Sequence, residues 1–413
     1  MMLRTSFGQI MRYLSILASL LFAPITAAQA ESLQLSGAKH WLAIASDKDK
    51  DAAIGIARHQ YALADAVRVV ASKSGYYGVI AGSYEAASIQ DLKKNDKNNS
   101  FDELPKDALL SYGGNYTETV WHLQPKSESA GVSYILNKIA QFSAGTLMVT
   151  VKGETLGADT AYTSVDDKDS QGPFNFDLGK DVAAEEMMSD QILEDYNHAA
   201  VVHLLPAAET PQVIIRNFTG GAHCCTETTI LTRPPRSEAW AAIKGATLDG
   251  EGHWFEDVNS DGGQELLSVD NAFLYAFDSY AGSFAPLKIS RLAGGSIEDI
   301  SEDLSMRSRL VQDLAGMEFS AKLNPELWKS NGFLAGWVAS KIRLGQGDEA
   351  WKKFSPNYEK KCDFGPQTCT TGQKIDDCPA DKTKPIPIPK ALAQFLRDNG
   401  YGPLPKAAEA EIQ

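Results

Sequence analysis

A chain of 413 residues with 53 Asp and Glu against 39 Lys and Arg, formal charge −14, is a poor partner for nucleic acid or an anionic lipid surface. Its length allows two domains or three, and 43% hydrophobic residues are enough to build a sizeable core. Beyond the first thirty residues no apolar run is long enough to cross a bilayer, so no membrane span is expected there.

Arg4 and Arg12 precede an apolar run from Leu14 to Ala23, and Pro24, Ala28 and Ala30 follow. Charged, apolar and small-residue segments in that order read as a secretory signal over 1–30, with cleavage before Glu31 and a soluble periplasmic or secreted product. Losing this leader removes two positive charges and no negative one, and the acidic remainder suits a protein that collects divalent cations. Export also sets the meaning of the five cysteines, Cys224, Cys225, Cys362, Cys369 and Cys378. An oxidising compartment favours disulfides, and an odd count leaves at least one cysteine without an intrachain partner.

Residues 38–124 form the first predicted module. "KHWLAIAS" has the length of a strand, and "DKDKDAAIGIARHQY" has helical spacing after an Asp-rich start. "AVRVVAS" and "SGYYGVIAGSY" read as strands, "EAASIQDLKK" as a helix, and "ALLSYGG" as a last strand. The order is β-α-β-β-α-β, a split sheet with helices on one face. "GYYGVIAGSYEAASIQDL" carries a strand that ends in Gly82-Ser83-Tyr84 and leads at once into a helix. This stretch resembles the SPOR (sporulation-related repeat) family, with Ser83 where that family usually has proline. The resemblance implies binding to peptidoglycan glycan strands stripped of their peptides, across the open face of the sheet. Aromatic rings suit flat sugars, and Trp41, Tyr76 and Tyr77 are the candidate platform. Alternation puts Tyr77 and Val79 on one face, and Tyr76, Gly78 and Ile80 on the other. The polar stretch 113–131 ends in Pro, Ser and Gly, and a domain boundary is expected near 125–131.

Strand-like runs separated by Gly, Pro and Asp turns fill residues 132–300, among them "GTLMVTVKG", "AAVVHLLP", "PQVIIRNFTG", "TETTILTR", "AFLYAFDSYAG" and "APLKISRL". They predict a mainly β domain, a sandwich or a fragment of propeller-like sheets. Within it "DVNSDGGQE" places Asp257, Asn259, Asp261 and Glu265 at loop positions 1, 3, 5 and 9, with Gly262 at the sharp turn and the Gly263 carbonyl at position 7. A hard cation such as calcium requires such an oxygen-rich, glycine-hinged loop. An EF-hand would close with Glu at position 12, where this chain has Ser268, and the flanks read as strand. The loop resembles the calcium-binding turn of FG-GAP/VCBS β repeats, which implies closure by the carboxylate at position 9.

"TGGAHCCTET" sets His223 beside Cys224 and Cys225. A nucleophile would need a base: adjacent side chains on a strand, as His223 and Cys224 would be, point to opposite faces, and His253 is a more distant candidate. A metal site lacks zinc spacing, and a redox pair would usually read Cys-x-x-Cys. A structural staple explains more, the cysteines pinning the turn by bonding to each other or to the distant ones. "FTGGAHCC" followed by the Asp-rich loop resembles uncharacterised exported bacterial proteins, and brings no activity with it.

Residues 301–413 carry helical spacing in "SEDLSMRSRLVQDLAGMEF" and "NGFLAGWVASKIRLGQGDEAWKKF", then three cysteines in a loop-rich stretch, and a Pro strip before a short helix. The fold class expected is therefore α+β: an N-terminal split-sheet module, a mainly β domain, and a helical, disulfide-bearing tail packed on it. The function expected is an exported envelope protein that binds peptidoglycan, with calcium in the β domain and room for an envelope protein partner. A cell-wall glycan hydrolase, or a scaffold that binds no glycan, is the alternative. Ser-His-Asp, HExxH, P-loop and GxSxG signatures are not found in the sequence.

Overall fold

The computed structural model describes residues 33–59, 67–95, 101, 104–122, 130–133, 139–152, 161–168, 173–179, 197–206, 210–219, 224–234, 237, 239–250, 252–360 and 365–413. Cys362 and His223 lie outside them.

The first module runs β1 (Lys39–Asp47), α1 (Lys50–Arg58), β2 (Val67–Ser72), β3 (Tyr77–Glu85), α2 (Ile89–Asn95) and β4 (Leu109–Ser111), followed by β5 (Tyr116–His122). Its sheet has the order β4-β1-β3-β2-β5, with every pair antiparallel. Asp49 starts α1 by accepting hydrogen bonds from the amides of Asp51 and Ala52 at 2.8 and 3.1 Å. Ile54 and Ile56 of α1 and Leu92 of α2 then bury against Leu42, Val69 and Val79, so both helices cover one face. β5 occupies the polar stretch just before the boundary expected near 125–131. It is an edge strand with little buried surface, and such a strand carries no apolar alternation to reveal it.

Three antiparallel sheets follow. The outer sheet is β10-β9-β8-β7, from β7 (Ile139–Ala144), β8 (Leu147–Lys152), β9 (Ala161–Asp167) and β10 (Phe174–Gly179). The middle sheet is β14-β13-β12-β11-β6, from β6 (Ala130–Ser133), β11 (His198–Val202), β12 (Gln212–Phe218), β13 (Cys224–Thr232) and β14 (Ala241–Asp249). The inner sheet is β15-β16-β17-β18, from β15 (Trp254–Glu256), β16 (Glu265–Val269), β17 (Leu287–Ala293) and β18 (Ser296–Asp299). Alternation decides the stacking. Val201, Val213 and Ile215 point to the outer sheet, where they meet Val149 and Val165. Ala200, Val202 and Ile214 point the other way, to Leu266 and Leu292 of the inner sheet.

The far face of the inner sheet, with Leu267, Leu287 and Ile289, packs on the helical tail. This tail holds α3 (Arg307–Leu323), α4 (Asn331–Arg343), α5 (Gly347–Asn357), α6 (Ile388–Asp398) and α7 (Lys406–Ile412), with β19 (Gln367–Cys369) and β20 (Thr383–Pro385) as a small ribbon. α4 is capped by Ser330, which accepts from the Phe333 amide at 3.2 Å, and is buried on all sides, as a central helix must be. Cys369 and Cys378 are joined at 2.05 Å, closing a loop of sequence separation 9. A loop of that size restricts the unfolded chain by about 3 kcal/mol.

The segment Ala272–Gly282, expected as a strand, is instead a path of 3-10 turns at Asn271–Phe273 and Tyr280–Gly282. Phe273 and Phe277 both insert edge-on against Phe395 of α6. The turn between them, with Tyr275 at φ 61, brings both rings to one partner, whereas an extended strand would hold residues four apart about 13 Å from each other.

α3 joins the tail to the first module. It packs along α1, and Phe319 enters the core of that module. A Cβ on Gly55 would lie 1.9 Å from the Gln312 carbonyl oxygen, whereas one on Gly316 would lie 3.2 Å from His59 Nδ1. Gly55→Ala should therefore cost about 1–3 kcal/mol or more, and Gly316→Ala distinctly less. Thermal denaturation of the two variants checks this ranking, and equal losses would contradict it.

Candidate functional site

Alternation separates the two faces of the split sheet as expected. Tyr77 and Val79 lie on the helix side, and Ile80 joins Trp41 and Val70 on the helix-free side. That second face is not an open platform. Trp41 is 5% exposed, and its Nε1 donates to the Leu33 carbonyl at 2.7 Å. Leu33, Leu35 and Tyr116 pack over it, and Gly113 comes so close that an added Cβ would lie 2.9 Å from the Trp41 ring. Arg68 sits over the same ring at 5.3 Å. Of the three platform residues, Trp41 is thus buried under the chain's own backbone, and Tyr77 is half-buried on the helix side. Tyr76 is 40% exposed, with Lys48 Nζ 5.4 Å from its ring centre.

The loop 257–265 joins β15 to β16. Asp257 accepts from the amides of Asp261 and Gly262 at 3.0 and 3.1 Å. Asn259 accepts from the Asp261 amide at 3.0 Å and donates to the Asp261 carboxylate at 2.9 Å. Asp261 accepts from the Gly263 amide at 2.8 Å, and Glu265 from the Val258 amide at 2.8 Å. Gly262 has φ +89, the left-handed backbone that the turn demands. Burial raises the Glu265 pKa, and the charges of Asp261 and Asp257 add to that shift. The donor chemistry fits a hard cation, but the oxygens are turned onto the loop's own amides. Among the described residues no three His, Cys, Asp or Glu side chains converge closely enough to hold a metal.

The sulfurs of Cys224 and Cys225 lie against each other at the start of β13. Thr219 clamps the hairpin: its amide and hydroxyl reach the Cys225 carbonyl at 2.7 and 3.0 Å, and its oxygen accepts from the Cys225 amide at 3.1 Å. His253, the distant candidate base, lies in the loop between β14 and β15. Its Nδ1 is 3.2 Å from Thr228 Oγ1.

His253 belongs to a feature that sequence reasoning missed, a cleft of about 590 Å³ between β14 and strands β16 to β18. Ser268 and Ser290 are buried in its floor. Lys288 pairs with Asp299 across it at 3.4 Å, and Asp270 at its rim accepts from the Tyr401 hydroxyl at 2.7 Å. Burial, then the charges of Lys288 and Arg216, push the His253 pKa down to about 4. The Asp299 pKa is pushed up by burial, but its Ser301 hydrogen bonds and Lys288 outweigh this, and the net shift is downward. Polar residues at strand positions that should be apolar were the available signal, but strand pairing had to be known before they could be grouped.

The family model described as the sll0997 C-terminal domain matches residues 308–400, the tail from α3 to the end of α6. The uncharacterized protein y4bJ of Sinorhizobium fredii is 35% identical over 403 residues, 97% of this chain and 62% of that protein. The probable thylakoid lumen protein sll0997 of Synechocystis sp. is 36% identical over 195 residues, 46% of this chain and 56% of its own length. The chain thus spans less than two thirds of either relative. No solved structure matches.

A buried His with a lowered pKa favours folding in its neutral form. Its contribution is complete above the unfolded value of 6.5 and is lost as pH falls toward about 4. His253→Asn should flatten the acid limb of the stability curve by about 3 kcal/mol between those limits. Denaturant titrations of wild type and variant across that range measure it. Parallel curves would contradict the assignment.

Proposed function

We propose that the chain is an exported envelope protein that binds glycan without cleaving it. Export is supported by the charged-apolar-small order of residues 1–30 and by the similarity to a protein whose name gives it a thylakoid lumen location. Glycan binding rests on one observation above the others: the strand order β4-β1-β3-β2 with both helices on one side, the arrangement that the SPOR resemblance implies. With Trp41 internal, the contact falls to exposed rings at the sheet ends, Tyr76 at 40% and Tyr112 at 51% exposure. The ligand is peptidoglycan glycan stripped of its stem peptides. A hydrolase would need free carboxylates, and Asp257 and Glu265 are both engaged by loop amides. The second reading is an envelope scaffold that binds protein, which the cover of Leu33, Gly113 and Tyr116 over the sheet face favours.

Calcium in the 257–265 loop belongs to the same proposal. It is supported by the oxygen donors at positions 1, 3, 5 and 9 and by the mutual repulsion of Asp257, Asp261 and Glu265, which a cation would relieve. Calcium should raise the thermal midpoint, by about 3 kcal/mol of stability at a hundredfold excess over Kd. Asp257→Ala should remove the rise. An unchanged midpoint at millimolar calcium would dismiss the ion.

The glycan reading is tested by co-sedimentation of the chain from Glu31 onward with purified sacculi, before and after an amidase strips the peptides. Binding should increase after stripping and fall in Tyr76→Ala. Trp41→Ala should instead cost about 3–5 kcal/mol of stability. Absence of binding to both forms of the sacculus would leave the scaffold reading.

A further inference from the structure

We propose that the cleft between the middle and inner sheets is a binding site for a small, uncharged, hydroxyl-rich ligand of the saccharide class. Its volume of about 590 Å³ is within the range of small-ligand pockets. The apolar side chains Leu266, Leu292 and Ile297 sit where these sheets meet. Further along the same faces the residue type changes. Ser268 and Ser290 occupy buried positions at 5% and 6% exposure, where Val or Leu would continue the core. Asn271, on the rim, is the more direct observation. Its side-chain oxygen is buried and has no hydrogen-bond partner among the described residues. A buried acceptor left in that state is destabilising, and a ligand hydroxyl would relieve it.

The charges in the cleft already have partners. Lys288 meets Asp299, and Asp299 also accepts from the hydroxyl and amide of Ser301 at 2.7 and 2.9 Å. Asp270 accepts from the Tyr401 hydroxyl and, at 3.2 Å, from the Ala272 amide. His253 is neutral, and Lys244 is exposed to solvent at the mouth. Inside the cleft an ionic ligand would lose its hydration and meet only charges already paired, Lys244 being out in solvent at the mouth. A ligand that both donates and accepts, with no net charge, suits the groups that remain. The loop carrying Asn271 continues to Tyr275, 50% exposed and 5.7 Å from the Tyr280 ring, a surface on which a sugar can stack. This site is separate from the split sheet, so it does not depend on the peptidoglycan proposal.

The test is calorimetric titration of the chain from Glu31 onward with maltose and with the disaccharide of N-acetylglucosamine, using glucosamine and glucuronate as charged controls. At least one neutral disaccharide should bind saturably, and the charged sugars at least about tenfold more weakly. Asn271→Ala and Ser290→Val should each weaken that binding about tenfold, with circular dichroism and sacculus sedimentation unchanged. Tyr76→Ala should leave it as it is. Failure of both neutral probes at millimolar concentration would overturn the proposal, as would tighter binding of a charged control or wild-type affinity in both cleft variants. If a variant does not fold, the order of affinities on the unmodified chain decides.

Discussion

One carboxylate holds two guanidinium groups together where three parts of the fold meet. Glu256, the last residue of β15, takes Arg58 of α1 at 2.6 Å and Arg309 of α3 at 3.2 Å. Burial, then repulsion from Arg309, lowers the Arg58 pKa, and the attraction of Glu256 acts against both. With the three side chains between 10% and 26% exposed, solvent screens the cluster weakly. Gln312 extends the joint, accepting from Arg58 Nε at 2.9 Å and donating to Asp51 at 3.0 Å. The residue after Glu256 is Asp257, so the oxygen-rich loop starts at this joint.

The consequence is a stack of layers with shared cores. The split sheet lies on α1, α1 on α3, the helical tail on the inner sheet, and the inner sheet on the middle and outer ones. Phe319 of the tail is part of the first module's core, which makes that module a poor candidate for independent folding. The tail also secures the cleft. Tyr401 fixes Asp270 at the rim, and Arg343 lies 4.3 Å above the Tyr401 ring while donating to the Leu287 carbonyl at 2.6 Å. Polar groups in the cleft are thus held on rigid strands by packing on their far side, the condition a selective binding site requires.

Much of this was legible from residue patterns. Alternation in β1 and β3 and the period of α1 gave the split-sheet order, and the strand flanks of the 257–265 loop ruled out an EF-hand. What could not be read was anything that depends on which element covers which. Trp41 has the composition of a sugar platform, and its burial comes from Leu33 and Gly113, neither of which advertises a contact with it. The aromatic run 272–282 looks extended until Phe395 is available to receive Phe273 and Phe277. His253, Ser268, Ser290 and Asn271 are scattered over the sequence as ordinary polar residues. They line one cleft once antiparallel pairing puts β16 beside β17 and the middle sheet over both. Cys224 and Cys225, the most conspicuous residues in the chain, sit in a hairpin clamped by Thr219.

The central claim is that the first module and the helical tail are one cooperative unit, pinned at Glu256. Hydrogen–deuterium exchange of Glu256→Gln against wild type tests it most directly, because each helix reports its own protection. The account predicts that α1 and α3 lose protection together and by similar factors, while the outer sheet keeps its own. Loss confined to α1, or no loss in either helix, would contradict it.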